Sequence, residues 1–88
     1  LDRDGIVRAR RETLMKLKIV MLDIERFGEL LERYPEDKSI AEDLARKREE
    51  LTGYAEPQHP FAGACRQVIA RFEKDKYGGE AVAERYAA

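Results

Sequence analysis

The sequence predicts an all-α fold: a three-helix bundle built on one long N-terminal helix, with a short fourth helix at the C-terminus. Three observations predict it. Apolar residues recur at helical spacing, and no alternating run of useful length suggests a strand. Proline and glycine punctuate the chain at Pro35, Gly53, Pro57–Pro60 and Gly78-Gly79, which cuts it into helix-sized segments. Charged residues are 40% of the 88 positions and apolar residues 43%, the mixture expected of helices with exposed faces of mixed sign. A chain of this length buries only about 60–65% of its unfolded surface, so one domain with a thin core is expected over residues 1–88.

The first helix is expected over about residues 5–34, with Asp2 or Asp4 as its cap. Stepping 100° per residue puts Ile6, Ala9, Leu17, Val20, Ile24, Phe27, Leu31 and Tyr34 on one face, and Leu14 and Met21 widen it. Leu14, Leu17, Met21, Ile24, Gly28 and Leu31 also follow the alternating three-four spacing of a helix seam. Met15, Ile19, Leu22 and Leu30 fall on a second side. Between Leu14 and Leu22 the helix is therefore apolar around most of its circumference, which a helix buried on one side does not require.

Pro35 ends that helix. The second is expected over 40–53, with Ser39 as cap, Glu42 completing a capping box and Gly53 as the stop. Its apolar stripe is Ile40, Leu44, Leu51 and Tyr54. The third is expected over 60–77, with Pro60 in its first turn and Phe61, Cys65, Val68, Ile69 and Phe72 facing inward. Gly78-Gly79 breaks it, and a short fourth helix over 80–87 would place Val82 and Tyr86 one turn apart. The expected core is thus Leu17, Val20, Met21, Ile24, Phe27, Leu31, Ile40, Leu44, Leu51, Phe61, Cys65, Val68, Ile69 and Phe72.

A first helix of about 28 residues is roughly 42 Å long, whereas the second and third would each span only roughly 21–24 Å. Either those two dock end to end along it, or part of it projects. A projecting part carrying Leu14, Met15, Leu17, Ile19 and Val20 needs a partner, because burying such a side chain is worth about 1.5–3 kcal/mol. The expected partner-binding residues are Leu14, Met15, Ile19, Leu22 and Leu30, and Met15 and Met21 suit an adaptable contact. The partner is expected to be another protein or a second copy of the chain.

Charge is uneven along the chain although the net is -1. Arg3, Arg8, Arg10, Arg11, Lys16 and Lys18 outnumber Asp2, Asp4 and Glu12 over residues 1–18, and acids outnumber bases over 23–56. A basic end and an acidic middle suit antiparallel or head-to-tail association of copies. They also allow Arg8, Arg10, Arg11, Lys16 and Lys18 to contact phosphates as part of a nucleoprotein complex. The plainest use is a solvated face with same-helix ion pairs such as Glu12 with Lys16 and Glu29 with Arg33.

Other functions find little support. No run of 18 apolar residues offers a membrane span. No signal-peptide pattern appears, and the start on Leu1 rather than Met leaves the native N-terminus open. A single cysteine forbids an internal disulfide, so a reducing cytoplasm is the default compartment. The lone His59 and lone Cys65 match no zinc spacing, and no glycine-rich phosphate loop is present, so no cofactor or metal is expected. Glu25, Glu29 and Glu32 share a helix face but lack the histidine partners of di-iron bundles. Cys65 lies on an inward stripe as a small apolar filler, not as a nucleophile paired with His59.

One pattern points to catalysis. Leu14-x-Lys16, Leu22-Asp23-x-Glu25 and Leu30-Leu31-x-Arg33 together resemble the first helix of the all-α chorismate mutases. The resemblance covers residues 14–33 and implies a small, dimeric, three-helix enzyme with basic residues at its site. Pro35 breaks the helix where that family continues to a further lysine. The second helix offers Arg46, Arg48 and Glu49 out of register, and the third only Gln67, placed early. The reading that best accommodates all of this is a non-catalytic helical module, an accessory or self-assembling subunit that docks through its first helix.

Overall fold

The computed structural model describes the backbone of residues 2–77 and the side chains of residues 2–72. Three helices occupy that span: α1 at Arg3–Arg33, α2 at Lys38–Tyr54 and α3 at Ala62–Tyr77. The all-α class predicted from the sequence is what forms, and no strand occurs among the described residues. The fourth helix expected over 80–87, with Val82 and Tyr86, lies outside the described residues.

The α1 helix has 31 residues, α2 17 and α3 16. At 1.5 Å per residue α1 is about 46 Å long, and α2 and α3 are each about 25 Å. The longest extent of the molecule, 49 Å, is therefore the length of α1. The α2 helix folds back along α1 after the tight turn at Tyr34–Asp37, and this hairpin is the main packing of the molecule. The α3 helix touches both members less extensively. Asp23 and Lys47, nearly equidistant from the turn, meet at 3.4 Å across the hairpin, as antiparallel packing requires.

The helix boundaries differ from expectation where two capping residues competed. Asp2, not Asp4, caps α1, its Oδ1 accepting from the Gly5 N–H at 2.6 Å. Asp37, not Ser39, caps α2, its Oδ1 accepting from the Ile40 N–H at 3.1 Å. Aspartate caps as well as serine does, and Pro35 halts α1 early enough for the chain to turn and start again at Lys38. Ser39 and Glu42 are thus already inside α2 and form no capping box. Gly53 does not stop α2, which runs one residue further to Tyr54 and leaves it through Ala55 in a right-handed conformation. Pro60 sits in the turn ahead of α3 rather than within its first turn. His59 helps start that helix, its Nδ1 accepting from the Phe61 N–H at 3.2 Å.

The core gathers Leu17, Val20, Met21 and Ile24 from α1, Leu44 and Leu51 from α2, and Cys65 and Ile69 from α3. Ala55 and Ala62 are also buried and were not expected to be. Phe27, Leu31, Phe61, Val68 and Phe72 are half-buried against this cluster rather than inside it, and Ile40 is half-buried near the start of α2. The aromatic side chains of Phe27, Phe61 and Phe72 thus rim the core. Arg66 ties the linker to α3, its Nε donating to the Ala55 carbonyl at 2.8 Å.

Candidate functional site

Burial along α1 divides it in two. Buried residues occur only from Leu17 to Ile24, and upstream of Thr13 only Gly5 and Ala9 are even half-buried. A 17-residue α2 starting beside the turn runs out near Leu17, so the first turns of α1 project beyond the hairpin. Ile6 is on the inward face and is still 46% exposed, because α2 ends before it.

The outer face of α1 forms a second apolar surface. Met15, Ile19 and Leu22 are 61%, 58% and 57% exposed. Their four- and three-residue spacings set them in one stripe, and at 100° per residue that stripe lies opposite Leu17, Val20 and Ile24. The other two residues expected in the partner surface are placed differently. Leu14 is half-buried and packs against the core, and Leu30 is half-buried on the flank. The stripe proper is therefore Met15, Ile19 and Leu22.

Charges of opposite sign border this stripe at its two ends. Near the N-terminal end, Arg10, Arg11 and Lys18 surround an open groove of about 370 Å³ floored by Val7, Leu14 and Met15. Near the C-terminal end, Glu25, Glu29 and Glu32 border a cleft of about 470 Å³ with Leu31, Leu44 and Arg48. The helical angle puts both concavities on the same side of α1, one almost directly above the other. Of the five cations expected to contact phosphate, three share the first groove. Arg8 and Lys16 are exposed but do not line it, and Lys16 projects to the other side of the helix.

No family model matches the chain, and no curated protein or solved structure matches it.

Cys65, His59, Tyr54 and Lys47 are each set in the packing or polar contacts of the fold. Cys65 is wholly buried, and burial pushes its thiol pKa up, against a weaker opposing pull from Arg10. The Nδ1 of His59 accepts a backbone hydrogen bond, and its ring rests 5.4 Å from that of Tyr54. Burial also raises the Tyr54 phenol, helped by Glu50. Lys47 is held above its ordinary value chiefly by its hydrogen bond to Asp23. Among the described residues no group of three or more potential ligands could hold a metal ion, the Glu25, Glu29 and Glu32 face included. Neither Glu49 nor Gln67 lines either of these two concavities.

The salt bridges include Arg46 with Asp43, and Lys47 with Asp23 and Glu50. Glu12 with Lys16 and Glu29 with Arg33, the same-helix pairs anticipated from spacing, are not among them. Among the described residues no helix is long and apolar enough to cross a membrane.

Proposed function

We propose that this chain is a non-catalytic interaction module whose working surface is the outer stripe of α1, built to receive a helix of another polypeptide chain. One observation carries the reading: three large apolar side chains, each more than half exposed, align on the side of α1 opposite its own core. Single exposed apolar residues are ordinary, but an aligned set bordered by charge has the anatomy of an interface core and rim. Covering these three would contribute about 1–2 kcal/mol each before association entropy is subtracted. That magnitude supports reversible assembly in preference to an obligate complex. The projecting N-terminal turns extend the surface without disturbing the hairpin.

The test is Ile19→Glu. Ile19 is 58% exposed and is not among the hydrophobic residues packed against the buried cluster, so the variant keeps its helical circular dichroism and its unfolding midpoint. Its complexes, measured by light scattering and by capture on immobilised protein, are lost. Complexes that survive Ile19→Glu unchanged would refute docking through this stripe.

A further inference from the structure

We infer that the occupant of the outer stripe is a second copy of the same chain, its α1 lying antiparallel to the first and related to it by a two-fold axis near the middle of the stripe. This rests on the docking reading above and adds the identity and direction of the partner. Charge carries the argument. An antiparallel helix pair sets the N-terminal part of each member beside the C-terminal part of the other. On α1 the first of these is a basic groove and the second an acidic cleft, on the same side of the helix. A parallel pair would set basic groove against basic groove and acidic cleft against acidic cleft, which like-charge repulsion opposes.

The register follows from the apolar centre. Setting Ile19 of one chain between Lys18 and Leu22 of the other lets the two stripes interleave. Arg11 then lies beside Glu29 of the second copy, and on the opposite flank Glu12 approaches Arg26 of the second copy. In a two-fold dimer each such pair occurs twice, as a self-complementary surface requires. None of these four residues forms a salt bridge within the chain's own described structure. Residues 8–18 of α1 carry five bases against Glu12 and residues 25–32 three acids against Arg26, while the chain as a whole stays near neutral at -1, and an antiparallel self-contact uses that uneven distribution.

Two measurements test this. The first is disulfide trapping in a Cys65→Ala background. Arg11→Cys mixed with Glu29→Cys forms a cross-linked heterodimer on mild oxidation, while either variant alone stays uncross-linked. Self-linking of each variant by itself would show a parallel pair and overturn the inference. The second is charge reversal, followed by sedimentation. Arg11→Glu weakens dimerisation about 5–10-fold, because two exposed attractive pairs become repulsive, and adding Glu29→Arg in the same chain restores it. Loss in the single variant without recovery in the double would contradict the pairing. Wild-type protein that stays monomeric at every concentration, yet loses other complexes on Ile19→Glu, would overturn the second-copy inference while leaving the docking reading standing.

Discussion

Ile6 and Ile24 are the same residue type, five full turns apart on the same face of the same helix, yet Ile24 is 2% exposed and Ile6 46%. The difference between them is cover. Ile24 lies under α2, whereas Ile6 lies beyond the point where α2 ends. Helical periodicity assigns a residue to a face, but burial also needs a second element long enough to reach it. The contrast between the two halves of α1 therefore locates both the stability of the molecule and the surface it leaves open.

The contrast can be broken most directly by truncation. Leu17→Ala empties a fully buried position and is expected to cost about 2–5 kcal/mol of unfolding free energy. Ile6→Ala, on the same face but uncovered, should cost less than about 0.5 kcal/mol. Urea denaturation monitored by circular dichroism measures both. Similar losses at the two sites would mean that the N-terminal turns of α1 are covered after all.

The turn between the halves of the hairpin gives a smaller effect. Asp37→Ala removes the acceptor for the Ile40 N–H and should cost about 1 kcal/mol. Ser39→Ala, inside α2, should be nearly neutral. The reverse order in thermal melts would return the cap to Ser39.

The smallest effect is on pH. Lys47, Tyr54 and Cys65 all hold their protons more tightly in the folded chain, through the hydrogen bond to Asp23 for the lysine and through burial for the other two. A raised folded value stabilises fully below the unfolded value and loses that contribution as pH climbs through the folded one. The fold should therefore weaken on the alkaline side, beginning near the ordinary thiol value of 9.0. Melting midpoints followed from neutral pH upward check this, and midpoints that rise with pH would reverse the assignment. The thiol of Cys65 should react with alkylating reagents only at the rate of unfolding, because it has no exposed surface.

Much of the fold was legible because long amphipathic segments declare themselves. The face of α1, the break at Pro35 and the inward Cys65 and Ile69 all followed from spacing and residue type. What spacing could not supply was length matching and local competition. Phe27, Leu31 and Phe61 carry the pattern of core residues but sit half-buried at the rim of the core, since periodicity gives a face and not a depth. Ala55, at the end of α2, and Ala62, at the start of α3, are buried at helix ends, where the apolar period gives no signal. Asp37 displaced Ser39 because two equally good caps stood two residues apart. At the candidate site, Met15, Ile19 and Leu22 were readable as a second apolar side. Leu14 was not separable from them, since it borders both faces. The helical angle alone aligns the basic and acidic residues of α1, but the acidic cleft is completed by Leu44 and Arg48 of α2 and so emerged only with the hairpin in place.

The central claim, that the outer stripe of α1 is a docking surface separate from the core, is tested most directly by sedimentation velocity on the wild-type chain and Ile19→Glu over a wide concentration range. Their unfolding curves should be recorded in parallel at low protein concentration. The account predicts a wild-type sedimentation coefficient that rises with concentration, an Ile19→Glu coefficient that does not, and superimposable unfolding curves. Equal concentration dependence in both proteins, or an Ile19→Glu chain that unfolds markedly more easily, would contradict it.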